Sequence, residues 1–208
     1  MATEQTTERV QTLRHEFRSW LDTIDIKNLI FIDETGVNQA MTRLYGRCSE
    51  PGGRVYDERP GTKDKTLTFI GAMSDAGLIA TMTFPGSLNT ASFVVFVEQV
   101  LLPQLWRGAI VVMDNLSVHY AEPAKALIEA AGAKIKFLPP YSPDLSPIEL
   151  CWSKLKQILR SVKARTADAL DEAITLAVNA IVTKMLSIGL IIVGYSFNLF
   201  REPSLWRV

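Results

Sequence analysis

Two short apolar runs that each end in an aspartate constrain the fold more than any other feature of the chain. The first is "NLIFID", residues 28–33, and the second is "AIVVMD", residues 109–114. Unbroken apolar runs of this length are typical of strands that are covered on both faces. We expect each aspartate to close its strand, at the edge where open α/β sheets bind ligands. The sequence therefore predicts a layered domain with two acids at one edge of a sheet.

The other patterns give the order of elements around these two strands. Two β-rich runs, residues 66–73 and 78–84, are separated by "SDAG", which has the turn chemistry of a hairpin. Three strands in succession, followed by alternating helices and strands, predict an antiparallel three-strand meander joined to parallel strands. The result is an α/β fold, a ribonuclease-H-like mixed sheet flanked by helices. Apolar spacing and end signals place helices at about 8–24, 90–105, 122–131, 147–162 and 167–182, and a further strand at 134–139.

Composition excludes several classes of protein. The 208 residues are 48% hydrophobic and 21% charged, which fits one globular domain. Basic and acidic residues both total 22, so the net charge draws the chain neither to nucleic acid nor to an acidic membrane. The two cysteines, Cys48 and Cys151, are isolated in sequence, and with only His15 and His119 beside them no Cys/His zinc motif is formed. Because the N-terminus is polar and unlike a signal peptide, we expect a cytoplasmic location.

We divide the chain into three segments. Residues 1–27 form a helical lead-in, residues 28–184 hold the predicted sheet, and residues 185–208 are an atypical apolar tail. The tail contains 16 uncharged residues in a row, fewer than the roughly 20 that a bilayer span needs. We therefore expect a buried terminal element and no membrane partner.

Asp33 and Asp114 are candidate ligands for a metal ion. Two carboxylates at the same sheet edge repel each other unless a proton or a cation lies between them. Hard oxygen ligands of this kind suit Mg²⁺ or Mn²⁺. Either aspartate alone also fits a turn or the cap of the next helix, and that alternative stays open here. Glu34 follows the predicted strand end and is expected to point away.

A proline-rich stretch precedes the helix at 147–162. In "FLPPYSPDLSPIELCWSKLK", residues 137–156, four prolines fix the backbone φ angle, so the path from strand to helix is stiff. Glu149 lies in the first turn of the helix, where the peptide dipoles favour a negative charge. It is either a third acidic ligand on a rigid arm or an ordinary N-terminal helix acid. Asp144 is predicted to belong to the turn.

Three motifs together resemble a known catalytic signature. "FIDETG", "VVMDNLSVH" and "LPPYSPDLSPIELCWSKLK" are similar to those of DDE transposases of the insertion-sequence-630 group, the bacterial relatives of mariner elements. The resemblance covers about residues 28–184, and the 34 residues between Asp114 and Glu149 match the separation in that group. It implies that Asp33, Asp114 and Glu149 are the catalytic acids and bind two divalent metal ions, Mg²⁺ or Mn²⁺.

The resemblance also implies a reaction and partners. Family members cleave DNA strands at the ends of an element by hydrolysis, and they transfer the free 3′-hydroxyls to target DNA, typically at TA sites. No covalent link between protein and DNA forms. The implied partners are transposon ends, target DNA and a second copy of the chain, as a homodimer in a synaptic complex. Such a protein would act on DNA in the cytoplasm, associated with the nucleoid.

Several residues near the three acids gain candidate roles from the resemblance. Asn115 and His119 could orient a ligand or contact phosphate, although His119 equally fits a structural histidine. Trp152 is expected to pack its helix onto the sheet. Basic side chains form two runs that are either solvated faces or binding sites for the DNA backbone. The first run is Lys154, Lys156, Arg160, Lys163 and Arg165, and the second is Arg43, Arg47, Arg54 and Arg59.

The chain departs from the group at both ends, and two other functions stay open. Residues 1–27 are too few for the helix-turn-helix region of the group, so we expect a separately encoded helix-turn-helix partner. The apolar "MLSIGLIIV" stands where a more polar helix is expected. One alternative is a catalytically inactive remnant or DNA-binding regulator. Another is a phosphoacceptor α/β domain in which Asp33 accepts a phosphoryl group, although such folds begin with alternating strands and helices.

Overall fold

One mixed sheet of five strands forms the centre of the molecule. The computed structural model describes residues 3–49, 51–58 and 66–188, with only the backbone described from residue 182 onward. The strand order is β3-β2-β1-β4-β5. The first three strands form an antiparallel meander, and β4 and β5 join it in parallel, as predicted. The strands are β1 Leu29–Val37, β2 Leu67–Ser74, β3 Gly77–Pro85, β4 Ile110–Met113 and β5 Lys134–Phe137.

Helices cover both faces of this sheet, which confirms the predicted α/β architecture. Side chains alternate along β1, so Phe31 faces one layer while Ile30 and Ile32 face the other. The Phe31 layer contains apolar residues of α1, α4 and α5, and the Ile30 layer contains those of α2 and α3. The helices are α1 Glu8–Leu21, α2 Thr90–Val95, α3 Glu122–Ala130, α4 Ile148–Val162 and α5 Ala167–Ile188.

The first strand differs from its prediction. It continues past Asp33 to Val37, so the expectation that Asp33 closes the strand is wrong. The reason is that β1 has two neighbours of different length. Its parallel partner β4 pairs only as far as Phe31, whereas its antiparallel partner β2 pairs from Phe31 to Val37. Asp114 does follow directly after β4, as predicted.

The helix predicted at 90–105 is also not uniform. It begins with a capping box between Asn89 and Ser92 and is α-helical only to Val95. It then continues as one π-helical turn, Phe96–Leu101, and one 3₁₀ turn, Leu102–Gln104. The second residue of that last turn is a proline, which has no backbone N–H for a regular helical hydrogen bond.

The predicted lead-in contributes to the core, because Val10, Phe17 and Leu21 of α1 are buried. Among the described residues, no helix has both the length and the apolar character needed to cross a membrane. Residues 189–208 of the predicted tail lie outside the described residues, and so does Arg59 of the early loop, the segment 38–66 between β1 and β2.

Candidate active site

Strand register places the two aspartates next to each other. Phe31 pairs with Val112, so two residues further along the parallel strands Asp33 comes level with Asp114. Neighbouring strands lie about 4.8 Å apart, which puts both residues at the same point of the sheet. β4 ends here because Asp114 forms a turn, in which its Oδ1 accepts a hydrogen bond from the Leu116 N–H at 3.0 Å. The turn alternative is therefore true of Asp114, but its side chain still remains about half exposed (49%).

The proline-rich arm, residues 138–147, carries the chain from β5 to α4 along the same edge. It begins where the Leu138 N–H donates to the Met113 carbonyl at 2.8 Å, and it ends at Pro147, which caps α4. A cavity of about 450 Å³ lies between this arm and the strand ends. Asp33, Asp114 and Glu149 all line it. The structure thus brings the three predicted acids to one cavity.

The electrostatics of Asp33 show how close the acids are. Burial raises the pKa of Asp33 to about 7, and repulsion by Glu149 and Glu34 adds to the rise. Hydrogen bonds from a backbone N–H and from the Trp152 indole oppose it. Because Glu149 contributes to this pKa, its charge lies within electrostatic reach of Asp33. A cation between these carboxylates would relieve the repulsion.

Asp114 has the opposite balance. Burial disfavours its charged form, but hydrogen bonds from the His119 ring and the Leu116 N–H outweigh burial, and the pKa of Asp114 falls below its ordinary value. The Nδ1 atom of His119 lies 2.7 Å from Oδ1 of Asp114. His119 is fully buried and its ring packs on Phe93 at 4.9 Å. His119 was predicted either to orient a ligand or to be structural. The two roles are compatible, because the ring is packed in the core while its Nδ1 atom holds the carboxylate of Asp114.

Glu34 lies closer to the site than expected. It is on the opposite face of β1 from Asp33, yet its Oε2 is 3.8 Å from Nε2 of His119. Both of these atoms are buried and neither has a hydrogen-bond partner in the described part of the chain. Burial raises the pKa of Glu34; His119 opposes the rise, while Asp114 and Glu149 add to it. Glu34 therefore points away from the face that carries Asp33, as expected, but the buried histidine connects it to Asp114.

Trp152 packs the helix onto the sheet, as predicted, and it also contacts Asp33. The side chain is 2% exposed and meets Phe69 edge to face at 5.3 Å. Its Nε1–H donates to Oδ2 of Asp33 at 2.9 Å. The sequence reasoning missed this hydrogen bond. The available signal was position, since Trp152 follows Glu149 by three residues and so lies on the same side of α4.

Asn115 ties the arm to β4. Its amide nitrogen donates to the Leu138 carbonyl at 2.7 Å, and its amide oxygen accepts from the Tyr120 hydroxyl at 2.7 Å. Both ends of the side chain are thus used inside the protein. Asn115 was predicted either to orient a ligand or to contact phosphate. Because its amide is already bonded at both ends, the structure favours a role in supporting the site over direct contact with phosphate.

Asp144 belongs to the turn, as predicted, and its main partner is distant in sequence. It lies in the 3₁₀ turn Pro143–Leu145 of the arm. Two nitrogens of the buried Arg14 guanidinium donate to its carboxylate at 2.9 and 2.6 Å. Arg14 keeps the pKa of Asp144 below its usual value. The lead-in helix α1 therefore holds the arm that leads to Glu149.

The basic residues divide into two groups. Lys163 forms an ion pair with Asp57 at 2.5 Å, and Arg165 donates to the Gln39 carbonyl at 2.7 Å. These two side chains therefore hold the early loop against the body of the protein. Lys154, Lys156 and Arg160 lie partly exposed on α4, and Arg43, Arg47 and Arg54 are exposed on the early loop.

The acids fit divalent ions by their chemistry, with one restriction. Among the described residues, no group of three His, Cys, Asp or Glu side chains is arranged to hold one ion. Mg²⁺ commonly uses only one or two protein carboxylates and completes its shell with water and phosphate. Three carboxylates line the cavity, and two of them, Asp33 and Glu149, repel each other. This arrangement suits ions that are each held by a pair of acids better than a single ion held by all three.

Solved structures of the Mos1 transposase have the same fold. The paired-end complex of Mos1 with the left transposon end matches with a TM-score of 0.65 at 16% identity, over 92% of this chain and 64% of that chain. The Mos1 catalytic domain with raltegravir and Mg matches with a TM-score of 0.60 at 15% identity, over 86% and 85%. A further structure of the Mos1 mariner catalytic domain gives 0.55 at 15% identity, over 91% and 96%.

These likenesses confirm the ribonuclease-H-like fold, and the sequence itself identifies the family. The chain spans 64% of the length of the Mos1 chain in the paired-end complex. No curated protein matches the chain by sequence. Residues 28–171, more than half of the chain, match the sequence profile described as "DDE superfamily endonuclease". The chain therefore belongs to the DDE superfamily endonucleases.

Proposed function

We propose that this chain is the catalytic domain of a transposase of the insertion-sequence-630 group, which cleaves DNA strands and transfers their 3′-hydroxyls to target DNA. The observation that carries the proposal is the cavity shared by Asp33, Asp114 and Glu149 inside the region that matches the family. Each acid comes from a different element: the middle of β1, the end of β4 and the first turn of α4. A site assembled from three separate elements is typical of a catalytic centre at a sheet edge.

Asp33, Asp114 and Glu149 would hold two divalent ions, Mg²⁺ or Mn²⁺, which activate the attacking water or 3′-hydroxyl and stabilise the leaving oxygen. Asp114 is suited to this role because its pKa is low and His119 fixes its Oδ1. Burial raises the pKa of Asp33 to about 7, and a divalent ion bound beside it would favour the charged form of the carboxylate. The arm and its anchors Asn115 and Arg14 keep Glu149 in position.

DNA would approach from the open side of the cavity. Lys154, Lys156 and Arg160 lie on the helix that carries Glu149, where they could contact the phosphate backbone. Solved Mos1 complexes contain transposon-end DNA, which supports DNA as the substrate here. For this chain we propose transposon ends and TA target sites, a homodimer that synapses two ends, a separately encoded helix-turn-helix partner, and a cytoplasmic, nucleoid-associated location.

One alternative has an observation in its favour. Because no three acids among the described residues surround a single ion, a DNA-binding regulator without cleavage activity is the second candidate. The phosphoacceptor alternative loses its support, since β1, β2 and β3 form an antiparallel meander rather than alternating strands and helices.

A cleavage assay separates these candidates. Purified protein is incubated with plasmid and with terminal-repeat DNA in Mn²⁺, in Mg²⁺ and in EDTA. We expect nicking that requires the metal and falls by at least about 100-fold in Asp114→Ala. The matched control is Asp168→Ala, which removes an exposed aspartate at the start of α5 and should cleave like the wild type. Equal nicking by Asp114→Ala would refute the proposal, and DNA binding without cleavage in any metal would favour the regulator.

A further inference from the structure

The indole of Trp152 is placed against Asp33 by three independent features. Its Nε1–H donates to Oδ2 of Asp33 at 2.9 Å. Its ring meets Phe69 edge to face, which fixes the plane of the indole. The whole side chain is 2% exposed, so water does not compete for the N–H. A buried tryptophan N–H normally has a partner, but here the partner is one of the three acids of the site.

A glycine on the neighbouring strand β2 leaves room for the Trp152 indole beside Asp33. Gly71 of β2 is the direct cross-strand partner of Asp33. A Cβ atom at this position would lie 2.8 Å from Cη2 of Trp152, closer than real contacts allow. Either the indole or the strand would have to move if any other residue replaced Gly71. The glycine is therefore required by the ring, because the backbone there is ordinary strand.

Helix α4 positions two of the three acids, Glu149 directly and Asp33 through Trp152. Trp152 follows Glu149 in α4, and both lie in its first two turns. Glu149 borders the cavity directly, while Trp152 reaches Asp33 across 119 residues of sequence. Any movement of α4 relative to the sheet would shift the Glu149 carboxylate and release Asp33 at the same time. The sheet and the helix thus have one defined relative position in which both acids are presented.

We propose that Trp152 is a positioning residue, whose indole N–H fixes Oδ2 of Asp33 so that the carboxylate is presented to a divalent ion, and that Gly71 makes room for it. The inference rests on the proposed function, because it assigns Asp33 to metal binding. Hydrogen bonds to a ligating carboxylate orient it, and their loss typically weakens metal affinity by about 10- to 100-fold.

Mn²⁺ binding tests this role without any DNA cleavage. The dissociation constant is measured by electron paramagnetic resonance of free Mn²⁺ for the wild type, Trp152→Phe and Gly71→Ala. Trp152→Phe keeps an aromatic ring in the core but loses the N–H. We expect both variants to bind Mn²⁺ about 10- to 100-fold more weakly. The matched control is Trp106→Phe, a tryptophan packed in the layer on the other face of the sheet, which should bind like the wild type.

A second measurement keeps the test independent of how the variants fold. In wild-type protein, the Trp152 indole N–H is identified by nuclear Overhauser effects to the Phe69 ring, and Mg²⁺ is added. We expect its resonance to shift on saturation while that of Trp106 stays in place.

The outcomes distinguish the two proposals. No Mn²⁺ binding by the wild type would refute the proposed function and this inference together. Binding by the wild type with an unchanged dissociation constant in Trp152→Phe, or with no shift of the Trp152 resonance, would overturn only the inference. Weakened binding in both variants with an unchanged control would support it.

Discussion

The metal-free protein should become less stable as pH rises from about 4 to about 7, and replacing Asp33 with Asn should abolish this decline. The pKa of Asp33 rises from 3.8 to about 7 on folding, chiefly because the group is buried and next because Glu149 repels it. The folded protein therefore binds this proton more tightly than the unfolded chain. Stability from this group is full below pH 4 and declines as pH rises toward 7.

The magnitude follows from the same two pKa values. At about 1.36 kcal/mol for each tenfold difference in proton affinity, the rise corresponds to about 4 kcal/mol as an upper figure. Asn cannot ionise, so the variant has no such decline. The pKa of Glu34 is also raised, and this residue is present in both proteins. The difference between the two pH profiles therefore isolates Asp33 and the repulsion that it exerts on its neighbours.

Urea unfolding in EDTA, monitored by circular dichroism from pH 4 to pH 7.5, measures this difference. We expect Asp33→Asn to gain stability relative to the wild type as pH rises, by about 2–4 kcal/mol at pH 7.5. Asp114→Asn is the matched control with the opposite sign. The pKa of Asp114 is lowered on folding, so that variant should lose stability at neutral pH, and the loss should shrink toward acid pH. Parallel profiles for the wild type and Asp33→Asn would refute the reasoning.

Three further predictions concern the parts that hold the site. Arg14→Met should lower the free energy of unfolding by about 1–3 kcal/mol in urea, because the buried guanidinium makes two charged hydrogen bonds to Asp144; an unchanged midpoint would contradict this. Lys163→Met should speed tryptic cleavage of the early loop by releasing Asp57, and equal cleavage rates would show that the ion pair does not hold the loop. Asn115→Ala should cost about 1–3 kcal/mol, since it leaves a carbonyl of the arm and a tyrosine hydroxyl without their partner; a urea midpoint equal to that of the wild type would count against the tie.

Local patterns were sufficient for most of the fold. Apolar runs identified all five strands, and helical spacing identified the five α-helices, because each pattern reports burial over a few neighbouring residues. The placement of Asp114 directly after β4 followed from the same patterns. The position of Asp33 did not, because the length of β1 depends on pairing with β2, which begins 34 positions after Asp33.

Contacts across the fold were beyond the reach of these patterns. The Trp152–Asp33 hydrogen bond spans 119 residues and the Arg14–Asp144 pair spans 130. Neither produces a periodicity or a spacing that a single sequence displays. The link between Glu34 and Asp114 was missed for a related reason. Strand alternation correctly puts Glu34 on the other face of β1, but the path through His119 back to Asp114 exists only when the chain is folded.

Anomalous diffraction from crystals grown with Mn²⁺ tests the central claim most directly, since it locates the ions without reference to activity. The account predicts two peaks in the cavity beside the arm, about 4 Å apart as in other two-metal sites, where Asp33, Asp114 and Glu149 would hold the ions. Peaks elsewhere, or a Glu149 carboxylate that contacts neither ion, would contradict the assignment of these three acids.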